Sequence, residues 1–316
     1  MSFNLTQIPA KTAVPPRVAP AAAVARTPAK AAAVPSGDTL VKAAPPAATH
    51  RDGQVPAADG QTVAYRTTET AGAPKAIIVM QQGTYGQPAF FDGMGEGLAK
   101  SGIKSYALGS RVETPDPAIH AKDLAAVVAK ARAENPGVPV TVAGVSLGAA
   151  IAMNWSAVHN ADHLPVVLMS PVILPKYLGV GDLARIAGGL FGGQKAGDKR
   201  VHSPMSKGAT LTTNPQSPEA NLPNAKGMTV PARLFGDVLK MTGQTALRGR
   251  QMAGPLLVMR AGEDEVAVNP ASTAFTKLIK SKDEKIVTFK GAAHDLSQEY
   301  HNPAVVKSLG DWVLAH

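Results

Sequence analysis

The chain has 316 residues, 45% of them hydrophobic, and carries no cysteine and a formal net charge of +9. It is long enough to bury one large core, and a disulfide framework, a thiol nucleophile and a cysteine-ligated metal are all excluded. No apolar run reaches the roughly 18 residues that span a bilayer, and no basic segment leads into an unbroken apolar one as in a secretory signal, so the expected location is cytoplasmic, with export through the N-terminal tail left open.

Residues 1–57 are rich in Ala and Pro, as in "AKTAVPPRVAPAAAVARTPAKAAAVP". Recurrent proline breaks the helix that alanine favours, and few aromatic or branched residues are present to build a core. The segment reads as a disordered or polyproline-like tail. From about Gly60 the pattern changes. "QTVAYRTT" alternates and reads as a strand of an opening antiparallel hairpin, and "KAIIVMQQG" as a buried central strand. "FFDGMGEGLAKSG" has helical spacing, "IKSYALGS" is a strand, and "DPAIHAKDLAAVVAKARAENPG" is a helix with Pro near its start and Asn-Pro-Gly at its end. Strand "VPVTVAGV", helix "SLGAAIAMNWSAVHN" and strand "LPVVLMSPV" follow. Near the C-terminus come strand "PLLVMRAG", helix "NPASTAFTKLIKS", strand "KIVTFKG" and closing helix "NPAVVKSLGDWVLAH". This alternation predicts an α/β fold with a mostly parallel central sheet and helices on both faces, over 58–172 and 255–316.

The alternation fails over 173–254, too long an interval for a loop within a compact domain, and this reads as an inserted lid. Leu183, Ile186 and Leu190 share one helical face there, and Leu234, Val238 and Met241 another. Between Lys176 and Arg250 eleven basic residues face four acidic ones, a surplus of seven. An anionic lipid surface is one partner for such a stretch. Nucleic acid is disfavoured, because no reading helix, zinc site or aromatic platform accompanies the charge.

One motif carries chemistry. Gly144-Val145-Ser146-Leu147-Gly148 lies between a β-branched run and an Ala-rich helix. A tight strand-to-helix turn needs glycine on both sides and exposes the serine hydroxyl at the sheet's carboxyl edge. That hydroxyl needs a base, and the base needs an orienting carboxylate. Both are expected after later strands, in the order acid then histidine. Glu263, Asp264 and Glu265 follow one such strand, and His294 follows the next. Asp264 is the expected acid because it is short and sits mid-turn, with Glu263 and Glu265 expected to point to solvent and Asp295 expected to be exposed or capping. Of the other histidines, His120 and His159 fall on predicted helices, and none of His50, His163, His202, His301 and His316 directly follows a late strand. An oxyanion hole is expected from the backbone N–H groups of Leu147 and of Thr84, which follows Gly83 after the first central strand.

Together these residues resemble the α/β-hydrolase superfamily, and within it the monoacylglycerol lipase and lysophospholipase type of serine hydrolase. The likeness runs from about Gly60 to the C-terminus and rests on "GVSLG", "SPVILP", "AGEDEVAV" and "GAAHDL". It implies Ser146, Asp264 and His294 as catalytic triad and Thr84 and Leu147 as oxyanion hole. Two departures stand out. Gln82-Gly83 replaces the family's His-Gly, and "LGSRVETP" stands where a G-H-G-x-S signature is usual. The expected activity is hydrolysis of acyl-glycerol or lysophospholipid esters through an acyl-enzyme, with no cofactor or metal. Thioesterase or acyltransferase chemistry, and a non-catalytic lipid- or partner-binding role, remain alternatives.

Overall fold

The structure is a computed structural model that describes residues 48–84, 86–111, 116–176, 198–202, 209–217, 229–233, 252–279 and 281–316, with positions 181, 184, 187, 188, 236 and 243 between them. A hairpin opens it. β1 (His50–Pro56) pairs antiparallel with β2 (Thr62–Thr68), with His50 opposite Thr68 and Pro56 opposite Thr62. β1 lies inside the segment expected to be tail and corrects that expectation for His50–Pro56, while residues 1–47 of that segment lie outside the described residues. "HRDGQVP" has almost no apolar pattern, and only Val55 of the strand is buried. Its order comes from the ladder that β2 offers, a contact no local pattern encodes.

The core then alternates strand and helix. β3 (Ala76–Gln81) leads to α1 (Asp92–Ala99) through a single 3-10 turn, then β4 (Ile103–Leu108), α2 (Pro117–Glu134), β5 (Val140–Val145), α3 (Leu147–His159) and β6 (Val166–Met169). Within the insertion, β7 (Arg200–His202) and β8 (Thr229–Pro231) form a small antiparallel pair. β9 (Leu256–Ala261), α4 (Asn269–Thr276), β10 (Glu284–Phe289) and α5 (Pro303–Ala315) complete the chain. The main sheet has the order β1-β2-β4-β3-β5-β6-β9-β10. It is parallel throughout from β4 to β10, and antiparallel only where β2 meets β1 and β4.

Every residue of β3 and β5 is buried, as strands covered on both faces require. Alternate residues of β3 divide between two cores. Ile77 and Val79 pack with Leu124 and Val127 of α2 and Ile151 of α3. Ile78 and Met80 pack with Met94 and Leu98 of α1 and Leu309 and Trp312 of α5. Two helix starts use the same device: Asp116 and Asn302 accept the backbone N–H two residues on, and a proline fills the first helical position.

The two predicted stripes of the insertion, Leu183, Ile186 and Leu190, and Leu234, Val238 and Met241, lie outside the described residues. Residues 209–217 form a strap against the loops after β9 and β10. The Thr210 N–H donates to Glu265 Oε2 at 2.6 Å, and the Leu211 carbonyl accepts the Asp295 N–H at 2.7 Å. The buried Glu299 carboxylate accepts from the Thr212 hydroxyl at 2.9 Å and from the Thr213 N–H and hydroxyl at 2.5 Å. Ser217 donates to Gln298 Oε1 at 2.7 Å.

Candidate active site

β5 runs straight into Ser146, whose φ of 56° and ψ of −120° place a non-glycine residue in strained backbone. The turn is tight enough to require both glycines. A Cβ on Gly144 would lie 2.1 Å from the Gly148 carbonyl oxygen, and one on Gly148 would lie 2.2 Å from that of Gln81. The Ser146 N–H donates to the Met169 carbonyl at 2.9 Å, which ties the turn to the end of β6. Ser170, the next residue, also has positive φ, 44°, and its buried hydroxyl has no hydrogen-bond partner.

β5, β6, β9 and β10 are consecutive parallel neighbours, so the turns that follow them share one sheet edge. Ser146, Asp264 and His294 lie on those turns. His294 Nε2 stands 2.9 Å from Ser146 Oγ. His294 Nδ1 stands 2.9 Å from each carboxylate oxygen of Asp264. Asp264 Oδ1 also accepts the N–H groups of Val266 and Ala267, both at 2.8 Å, and Lys176 Nζ donates to its backbone carbonyl. The two loops are joined directly, because the Gly262 N–H donates to the Phe289 carbonyl and the Glu263 N–H to that of Ala292. Gly291, at φ 78°, supplies the left-handed residue that turns the chain after β10.

Burial pushes the Asp264 carboxyl up, but the charge and hydrogen bond of His294 and the two amides outweigh it and hold the group below the usual carboxylate range. An ionised carboxylate only accepts, so the imidazole proton sits on Nδ1. Nε2 is then the acceptor, and the Ser146 hydroxyl donates to it. Ser146 is half-buried, while Asp264 and His294 are buried. The serine is thus the most accessible of the three, and its oxygen stands beside the imidazole.

The competing acids are placed differently. Glu263 is exposed, and Glu265 is half-buried and held by the strap. Asp295, expected to be exposed or capping, is buried and caps: its Oδ1 accepts the Ser297 N–H at 2.9 Å and the Ser297 hydroxyl at 2.5 Å. The other histidines have other surroundings: His120 is buried on α2, His159 and His163 are exposed, and His50 and His316 contact Glu96 and Asp283. Among the described residues no group of His, Asp and Glu gathers as a metal set.

Leu147 opens α3, so its N–H lies in the first turn, where the helix itself supplies no acceptor. On the other side, Gly83 presses against Ser146; a Cβ there would stand 2.9 Å from Ser146 Cβ and 3.4 Å from Ser146 Oγ. Thr84 follows it, half-buried. Sequence reasoning missed Ser110, Gln298, Glu299 and the strap. No local pattern marks them, because each works through a partner distant in the chain.

The fold and the proteins the chain is similar to define a class: a lipase- and esterase-like enzyme of the α/β-hydrolase fold that hydrolyses carboxylic esters. The chain belongs to the hydrolase family described as serine aminopeptidase, S33, whose profile matches residues 72–301. It is 23% identical to a human monoglyceride lipase over 269 residues, 80% of this chain and 85% of the relative. It is 20% identical to a monoacylglycerol lipase of Mycolicibacterium smegmatis over 259 residues, 77% and 89% of the two chains. Among solved structures, a soluble variant of monoglyceride lipase from Saccharomyces cerevisiae superimposes with a TM-score of 0.67 at 15% identity, covering 81% of this chain and 92% of that one.

Proposed function

We propose that this chain cleaves esters of acyl-glycerol or lysophospholipid type by a serine acyl-enzyme mechanism. The observation that carries the reading is the 2.9 Å contact between Ser146 Oγ and His294 Nε2, with Asp264 on the far side of the ring. Ser146 Oγ attacks the ester carbonyl carbon while its proton passes to His294 Nε2. Asp264 holds the tautomer and stabilises the imidazolium. The N–H groups of Thr84 and Leu147 stabilise the oxyanion. Collapse expels the alcohol, which takes the proton from His294. Water, activated by the same imidazole, then releases the carboxylic acid and restores Ser146.

The acyl-glycerol assignment draws on the relatives, which are named as monoacylglycerol and monoglyceride lipases. The basic surplus between Lys176 and Arg250 adds an anionic head group or lipid surface to the reading. The family description, an aminopeptidase, favours a second reading in which the same attack falls on an amide. Hydrolysis should be measured on p-nitrophenyl esters, monoglycerides, lysophospholipids, acyl thioesters and aminoacyl p-nitroanilides, with Ser146→Ala as control. Highest kcat/KM on monoglycerides or lysophospholipids, lost in the control, supports the proposal. Preference for anilides or thioesters replaces the substrate, and turnover that survives Ser146→Ala removes the mechanism.

A further inference from the structure

The turn after β3 contains two neighbouring amides, Gly83 and Thr84, and something must decide which of them serves an oxyanion. The sheet order β4-β3-β5 places this turn between the loop that carries Ser110 and the turn that carries Ser146. The Ser110 hydroxyl donates to the Gln82 carbonyl at 3.0 Å and to the Gly83 carbonyl at 2.5 Å. The Ser110 N–H donates to the Gly86 carbonyl at 3.1 Å, and the Gly86 N–H to the Gly83 carbonyl at 3.3 Å, which closes the turn. The carbonyl of peptide 83–84 is thus drawn toward the β4 side, whereas that of peptide 82–83 lies between Ser110 and the start of α3, 2.7 Å from where a Cβ on Gly148 would stand. A trans peptide sets its N–H opposite its carbonyl. The Thr84 N–H is therefore turned away from Ser110, toward β5 and Ser146.

Gln82 separates the two. Its side-chain Oε1 accepts the Gly83 N–H at 2.8 Å. The side chain is buried at 1% exposure and packed so closely over the turn that a Cβ on Gly86 would overlap Gln82 Cγ at 1.6 Å. We infer that Ser110 and Gln82 are positioning residues that together select the Thr84 amide as oxyanion donor: Ser110 orients the peptide, and Gln82 occupies the competing N–H. This rests on the serine-hydrolase reading and deepens it. It also gives a use to the two places where the sequence departs from its family, since Gln82 replaces a histidine and Ser110 lies in the loop that lacks the usual signature.

The test is a boronic acid, which forms a tetrahedral adduct on the serine, together with steady-state kinetics on p-nitrophenyl butyrate. In the wild-type protein the Thr84 and Leu147 amide resonances should shift downfield in the adduct, and that of Gly83 should not. In Ser110→Ala only the Leu147 resonance should shift, and kcat and boronic-acid affinity should both fall by about tenfold or more at unchanged KM. Ser110→Thr should restore both to within about threefold, because it keeps the hydroxyl. If Ser110→Ala does not fold, Gln82→Met carries the test, with the same loss in kcat at unchanged KM. Wild-type kcat and adduct affinity in both variants, or a Gly83 resonance that shifts in place of Thr84, overturns the inference. Esterase activity that survives Ser146→Ala overturns instead the mechanism on which it stands.

Discussion

Gly148 lies so close to Gln81 that a single added carbon would stand 2.2 Å from the Gln81 carbonyl oxygen. This contact brings the start of α3 down onto the end of β3, and with it the turn of Ser146 down onto the turn of Gly83 and Thr84. Gly148→Ala must push backbone against backbone, and is expected to cost about 3 kcal/mol or more, with loss of activity. Gly310 gives the contrast. Its added Cβ would make ordinary contacts of 3.6 and 3.7 Å with Leu98 and Ile103 in the middle of α5, so Gly310→Ala is expected to stabilise by about 0.5–1 kcal/mol. Urea denaturation of the two variants should give opposite signs.

In the proposed mechanism Ser146, His294 and Asp264 act as a unit. Ser146→Ala and His294→Ala should each lower kcat by several orders of magnitude, and the double variant should lose little more. Asp264→Asn should lower kcat by about 10⁴-fold, because an amide can hold the wrong imidazole tautomer. Stopped-flow kinetics with an active-site titrant checks both.

Acid stability follows from the same carboxylate. The folded Asp264 titrates below its ordinary value of 3.8. A depressed folded value adds stability that is present above the unfolded pKa and is lost as pH falls through the folded one. Its contribution should thus be constant from neutral pH down to about pH 5 and decline below about pH 4. Unfolding free energy measured against pH should lose this component in Asp264→Asn.

The strap predicts a remote effect. Glu299 is 1% exposed and accepts three hydrogen bonds from Thr212 and Thr213. Glu299→Ala leaves the buried Thr212 hydroxyl without its acceptor and frees the exposed Thr213, and should cost about 1–2 kcal/mol, with Glu299→Gln costing less. Hydrogen exchange at Thr213 and limited proteolysis within 209–217 should both accelerate.

Truncation locates the true start of the fold. A chain beginning at residue 48 keeps β1 and is expected to retain its activity. Removal of residues 1–57 takes away β1 and its whole ladder with β2, leaving β2 as a bare edge. Thermal unfolding should separate the two, with the shorter chain melting lower.

Local pattern made much of this legible. The uniform burial of β3 and β5 was readable because both faces of a central strand are covered, which leaves a continuous apolar run. Gly144 and Gly148 flank Ser146 because backbone approaches backbone there, and that steric demand is visible in sequence as residue type. β1 was not legible, since "HRDGQVP" is ordered by its partner and not by its own composition. Asp295 kept two readings, exposed or capping, for a related reason: the choice between them is visible only once Ser297 is seen to donate to it.

By itself the sequence determined the strand–helix alternation, the glycine-flanked turn at Ser146 and the order of Asp264 and His294, because these follow from periodicity and from steric needs within a few residues. Only the tertiary structure decided that His294 stands 2.9 Å from Ser146, that Ser110 and Gln82 hydrogen-bond the turn after β3, and that Glu299 fastens the strap. Hydrogen bonds act over about 3 Å of space, whatever the separation along the chain, so partners such as Thr212 and Glu299 leave no periodic trace in the residues between them.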